Sequence, residues 1–258
     1  MEQEHGMSDP DGNAWVLDVR VELVETDPLI WRRLELLGSL SLDRVHEALQ
    51  TAFGWEDLHL HRFTDGHPFM PLRPVNGEYP DPPQWMPRHW CEEPTDLAEE
   101  GCTLQELFTS GSGTAFYEYD FGDSWLHRLD LVSRRPARGV TPPALLVDGA
   151  RRGPLEDCGG FPGYEELLDA LADPTHPQHT ECVEWVADMT GTEEAFDAAF
   201  LDVAAVNCSL AAATLGLPSP TAPDGGAGAS APASSEGEKP GTRAQRHMST
   251  PPPGCRKL

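Results

Sequence analysis

The side chains with the most chemistry to offer are histidines and carboxylates two or three residues apart. Read at period two, residues 55 to 63 form a short strand with Trp55, Asp57, His59, His61 and Phe63 on one face, so His59 and His61 point the same way. Two such imidazoles can share a divalent ion with carboxylates from elsewhere in the chain, and Asp120, Asp123 and His127 have suitable types. The expected metal set is therefore His59, His61, Asp120, Asp123 and His127, with metal-assisted hydrolysis, including that of nucleic acid, as its chemistry. Packing is the competing reading, because no three of these residues have a diagnostic ligand spacing. In that reading His127 is a hydrogen-bonded core residue, Asp120 and Asp123 bond turn amides, and His59 and His61 border a sheet. A helix over 55–63 also stays open.

Other pairings carry less. Glu156 and Asp157 have the types for an acid/base pair, but neighbours in an extended segment diverge, and Cys158-Gly159-Gly160 suits a tight turn, so a loop role is expected. No Walker pattern accompanies those glycines, and only Arg151 and Arg152 offer countercharge to a phosphate. Ser124 near His127 reads as a turn serine. Trp31, Arg32 and Arg33 could clamp an anion, although their alternation favours cross-strand contacts. The six cysteines are scattered, so reduced thiols are expected, and a zinc site would need distant residues such as His89, Cys91 and Cys102.

The elements that must position these groups follow from periodicity. Trp15, Leu17, Val19, Val21 and Leu23 alternate with Asp18, Arg20 and Glu22, and after the Thr26-Asp27-Pro28 turn Ile30, Arg32, Leu34 and Leu36 alternate with Trp31, Arg33 and Glu35. Two consecutive strands are predicted. Ser41 can cap a helix whose Leu42, Val45, Leu49, Ala52 and Phe53 share a face, and Gly54 suits its C-terminus. Residues 64–95 are Pro-rich and read as an irregular excursion with an Asn76-Gly77 turn. Thr103 and Glu106 have capping-box spacing ahead of Leu104, Leu107 and Phe108. Later helices are predicted over Tyr164 to Ala172, with Glu165 and Glu166 near the positive helix start, then about 177–189, then 193–213.

Residues 115–132 read as a hairpin, Phe116-Tyr117-Glu118-Tyr119-Asp120-Phe121-Gly122-Asp123-Ser124-Trp125-Leu126-His127 at its centre. Keeping Tyr117, Tyr119 and Phe121 on the face of Trp125, His127, Leu129 and Leu131 requires an odd loop. A three-residue loop, 122–124, pairs Phe121 with Trp125, Tyr119 with His127, and Glu118 with Arg128; a five-residue loop is the other option. This segment resembles the plasmid pRiA4b ORF-3-like family, whose members are also labelled passenger proteins of an insertion element. The resemblance extends to Pro28-Leu29-Ile30-Trp31-Arg32-Arg33, to Phe53-Gly54-Trp55-Glu56-Asp57-Leu58-His59-Leu60-His61-Arg62-Phe63 and to Glu156-Asp157-Cys158-Gly159-Gly160-Phe161-Pro162-Gly163-Tyr164, in the family's order over about residues 14 to 210. Gly153-Pro154-Leu155 stands where the family has a Cys-Pro-Pro run. The resemblance implies an α+β domain with an antiparallel sheet and an association with mobile DNA.

Composition bounds the rest. The 258 residues carry 43 acidic against 18 basic side chains, a net charge of -25. Residues 218–258 hold five basic and three acidic side chains, which leaves -27 on residues 1–217 and argues against DNA binding through the domain surface. No apolar run suits a membrane span and Met1 to Pro10 lacks a signal-peptide pattern, so a cytoplasmic location is expected. All 20 aromatic residues lie between Trp15 and Phe200. The expected organisation is a disordered N-terminus over 1–13, an α+β domain over 14–213 whose antiparallel sheet has a central hairpin packed by helices, and a disordered Pro/Gly/Ala/Ser-rich tail over 214–258. The leading functional expectation is a non-enzymatic binding or accessory module. It would use the pocket around Tyr117, Tyr119, Asp120, Asp123, Trp125 and His127, or its acidic surface, to engage a protein partner.

Overall fold

A computed structural model describes residues 14–70, 82–93 and 95–214. The first alternating segment forms β1 (Trp15–Leu23) and the second β2 (Ile30–Leu37), paired antiparallel with Val21 opposite Arg32 and Asp18 opposite Glu35. Leu17, Val19, Val21, Leu23, Ile30, Leu34 and Leu36 are buried, each full burial contributing about 1.5–3 kcal/mol. The opposite face carries charge. Arg33 binds Asp18 with two hydrogen bonds of 2.9 and 2.7 Å, and Arg20 stacks over Trp31 at 4.2 Å. Trp31 and Arg33 thus act across strands, as the alternation predicts, while Arg32 faces the core.

The helix predicted after Ser41 is α1 (Leu42–Phe53), with Leu42, Val45, Leu49, Ala52 and Phe53 buried on one face and Gly54 ending it at φ 85°. Ser41 occupies the N-cap position, but its side chain makes no capping bond. The strand predicted over 55–63 begins only at β3 (His61–Thr64), because Asp57 takes a left-handed φ of 56° that breaks the extended run. His59 therefore precedes the strand and does not share its face with His61 as expected. The Pro-rich excursion contains β4 (Gln84–Met86) and a turn of helix at Arg88–Trp90, regular structure that its composition did not suggest, and β5 (Asp96–Ala98) follows directly after it. The Asn76-Gly77 turn lies outside the described residues.

Thr103 and Glu106 form the expected capping box of α2 (Leu104–Ser110). The hairpin is β6 (Thr114–Tyr119) and β7 (Trp125–Pro136), with Tyr119 opposite Trp125 and Tyr117 opposite His127. Its loop is odd but five residues long, 120–124, so the three-residue register is corrected. Asp120 turns left-handed at φ 54°, its Oδ1 accepts the Gly122 and Asp123 N–H groups, and its carbonyl accepts the Ser124 N–H. Phe121 is consequently exposed at the loop tip, and Glu118 meets Arg62 of β3 at 2.7 Å in place of Arg128.

One further strand, β8 (Ala144–Ala150), was not apparent in the sequence. The eight strands run in the order β5-β4-β3-β6-β7-β1-β2-β8, every pair antiparallel except β4 with β5, which places the hairpin at the centre of an α+β fold. On the chain's return, α3 (Gly160–Ala172) starts four residues early, so Glu165 and Glu166 fall beyond its first turn. Next come α4 (His179–Thr190) and α5 (Val203–Thr214), the latter shorter than predicted. Asn207 of α5 exchanges two hydrogen bonds with the Leu146 backbone, 2.8 and 2.9 Å, and covers the sheet's β8 edge. The segments expected to be disordered, 1–13 and 214–258, lie outside the described residues apart from Thr214 at the end of α5. Among the described residues no helix is long and apolar enough to cross a membrane.

Candidate functional site

The hairpin loop, the start of α1, the segment before β3 and the two one-turn helices at Arg88–Trp90 and Glu99–Gly101 enclose a cleft of about 780 Å³. Its walls carry Asp43, Glu47, Asp57, Glu99, Glu100 and Asp120, and no Lys or Arg lines it among the described residues. Four histidines, His46, His59, His61 and His89, also face it. Among the described residues, histidine and carboxylate ligand atoms converge within 4.8 Å of one another in two places.

The first is His46, Asp57 and His61. Val45 and Leu49 bury α1 against the sheet, which carries His46 and Gln50 inward with them. Gln50 donates to the Tyr117 hydroxyl at 3.0 Å, and that hydroxyl lies 2.8 Å from His46 Nδ1. His46 Nε2 meets Asp57 at 3.0 Å, and the Asp57 N–H donates back to Gln50 at 2.8 Å. The His61 ring stacks on His46 at 3.6 Å, and its Nε2 meets the buried Glu99 at 2.8 Å. Burial pushes His61 below the ordinary histidine value against the pull of Glu99, and raises the Tyr117 hydroxyl well above its own.

The second place lies where the loop before α3 meets the hairpin turn. His59 Nε2 is 3.2 Å from Asp157 Oδ1, 3.7 Å from Asp120 Oδ2 and 3.8 Å from Glu156 Oε2. The close contact with Asp157, opposed by desolvation and helped by the Asp120 charge, raises the His59 pKa. Burial raises that of Glu156. Glu156 and Asp157 do not diverge as an extended segment would require, because Asp157 is left-handed at φ 56° and turns its carboxylate back toward His59. Two glycines hold this loop in place. Gly159 and Gly160 have φ of 92° and 70°, and a Cβ on Gly160 would come within 2.9 Å of the Asp123 carbonyl oxygen. Gly160→Ala is expected to destabilise the fold by about 2 kcal/mol through left-handed strain plus this collision. Thermal melts check this, and an unchanged midpoint would show that the loop is not pinned there.

The five residues expected to share a metal are thus divided. His59 and Asp120 meet, whereas His61 turns to Glu99, and Asp123 Oδ2 accepts the Gly159 N–H at 3.1 Å. His127 is enclosed by Phe53, Trp55 and Tyr117, and its Nδ1 lies 3.2 Å from the Tyr117 carbonyl oxygen. Tyr117, Tyr119, Trp125 and His127 are core residues, so of the expected pocket only Asp120 lines the cleft. Ser124 donates to Glu118, not to His127. His89, Cys91 and Cys102 form no converging ligand group among the described residues, and the cysteines described are free thiols. Sequence reasoning missed His46 and Glu99. Spacing of His46 and Gln50 four apart, next to the apolar face of α1, was the available signal for the first, while Glu99 sits in an acidic run with none.

The sequence profile of one family, described as Plasmid pRiA4b ORF-3-like protein, matches residues 15–205. The uncharacterized protein y4hQ of Sinorhizobium fredii (strain NBRC 101917 / NGR234) is 36% identical over 172 residues, which cover 67% of this chain and 81% of that one. Among solved structures, a protein of unknown function from Methanosarcina mazei Go1, MM3350, is similar at a TM-score of 0.60 and 28% identity, over 74% of this chain and 97% of the other.

Proposed function

The chain belongs to the plasmid pRiA4b ORF-3-like family, and from that premise we propose that it is a non-enzymatic accessory module of mobile elements that binds a basic segment of a partner protein in its acidic cleft. The carrying observation is a cleft of about 780 Å³ walled by six carboxylates, with no Lys or Arg lining it among the described residues. Such a field concentrates Lys and Arg side chains and repels phosphate, so contact with mobile DNA runs through the partner. Trp90 and Phe121, both large and exposed, stand on the same walls. Trp90 offers a ring face to a cation, worth about 0.5–1 kcal/mol at an exposed site, while the Phe121 ring already carries the Arg62 guanidinium at 5.3 Å. A hydrolase or nuclease built on His59, His61, Asp120, Asp123 and His127 has less support, since these side chains lack a common focus.

Fluorescence polarisation with a Lys/Arg-rich peptide tests the reading. Saturable binding is expected, weakened by salt and at least about tenfold weaker for a Glu47→Gln/Glu100→Gln protein, whose two changes sit on exposed wall residues. An acidic peptide that binds equally well, or no saturation by the basic peptide up to about 1 mM, would sink it.

A further inference from the structure

We infer that His59, Asp120 and Asp157, with the Glu156 carboxylate beside them, form a site for one first-row divalent cation, of the Mn²⁺ or Zn²⁺ class, opening on the cleft. The inference goes beyond the partner reading and does not rest on it. Ligands about 2.1 Å from a tetrahedral ion lie about 3.4 Å apart. The separations from His59 Nε2 to Asp157 and Asp120, 3.2 and 3.7 Å, bracket that edge, and the three ligand atoms lie within 4.8 Å of one another. One imidazole with two convergent carboxylates suits a borderline ion better than the all-oxygen shells of calcium or magnesium.

The buried carboxylates are also held as ligands are held. Asp120 Oδ1 accepts the Gly122 and Asp123 N–H groups at 2.8 and 3.3 Å, leaving Oδ2 turned to His59. Glu156 Oε1 accepts the Glu56 N–H and the Tyr119 hydroxyl, both at 2.9 Å, leaving Oε2 turned the same way. Anchoring one oxygen and aiming the other is the outer-shell arrangement that orients metal ligands. His59 Nε2 is shielded from solvent and makes no aligned hydrogen bond despite three carboxylates within 4 Å.

Charge gives the independent reason. Asp120 is 4% exposed and Glu156 6%, and with Asp157 they set three carboxylates around one imidazole, which neutralises at most one of them. A dication balances the remainder. His46, Asp57 and His61 do not make an equal case. Their rings are stacked with planes 8° apart, so in-plane lone pairs run parallel without converging, and their nitrogens are engaged by Tyr117, Asp57 and Glu99.

The test titrates Mn²⁺, and separately Zn²⁺, into the full chain after chelator dialysis, read by calorimetry and by the Mn²⁺ electron paramagnetic resonance signal. One ion per chain is expected. Asp157→Asn should weaken it at least about tenfold and His59→Gln about a hundredfold, with folding checked by circular dichroism. Asp57→Asn, on a side chain 62% exposed in the other cluster, should leave it unchanged, as should Glu47→Gln/Glu100→Gln, which weakens peptide binding alone. Absence of binding tighter than about 100 μM overturns the site, as does undiminished binding by both Asp157→Asn and His59→Gln, or loss in Asp57→Asn.

Discussion

Arg32→Met is expected to lower stability by about 4 kcal/mol, a fall of about 10 °C in Tm for a domain of this size. The Arg32 side chain is 1% exposed on the core face of β2 and has no carboxylate partner among its hydrogen bonds. Its Nε donates to the Ala52 carbonyl at the end of α1 at 2.7 Å, and its Nη1 donates to the carbonyls of Trp31 and Ala150 at 2.8 and 3.0 Å. The guanidinium also lies 4.8 Å from the Phe53 ring centre. Burial brings its pKa down to about 10, so it remains charged at neutral pH. Removing a buried charge can be neutral when its partner goes with it, but here the acceptors are backbone carbonyls that stay behind, each costing about 1–3 kcal/mol if left unbonded. That second effect wins because one side chain joins α1, β2 and β8. Arg32→Lys should recover only part of the loss, since an ammonium cannot reproduce the planar fork. Urea unfolding measures both, and a methionine variant as stable as the parent would refute the carbonyl-clamp role.

The second large effect is on acid stability. His127 is fully buried, and burial pushes its pKa down to about 3, with the Arg32 charge a lesser contribution. An unfolded histidine titrates near about 6.5, so below that pH the unfolded chain takes up a proton that the folded chain refuses. The stability tied to the neutral ring is complete above pH 6.5 or so and is lost at about 1.4 kcal/mol per unit as pH falls toward the folded value. His59, with its raised pKa, has the opposite sign, but it is common to parent and variant. His127→Gln removes the one linkage. From pH 6.5 to 4.5 the parent should lose about 2.5 kcal/mol more than the variant, whatever their difference at neutral pH. Parallel curves of unfolding free energy against pH would show that His127 does not titrate in this way.

What the sequence determined by itself was local. Alternation in residues 15–37 specified β1 and β2 and even placed Arg32 on the buried face. The spacing of Leu42, Val45, Leu49 and Phe53, the Thr103–Glu106 box and the odd parity of the hairpin likewise follow from side-chain period and capping, which depend on neighbours along the chain. Motifs spread along residues 15–205 identified the family. The site was decided elsewhere. Asp57, Asp120 and Asp157 each adopt a left-handed φ that period-two reasoning cannot foresee, and those three turns separate His59 from His61, lengthen the hairpin loop and bring Glu156 and Asp157 onto His59. Likewise Glu99 reaches His61 across 38 residues, and His46 reaches Tyr117 across 71. Such pairings are set by where the strands stack and how loops cross the sheet edge, because a carboxylate's partner is fixed by distance in space and solvent exclusion rather than by its place in the chain.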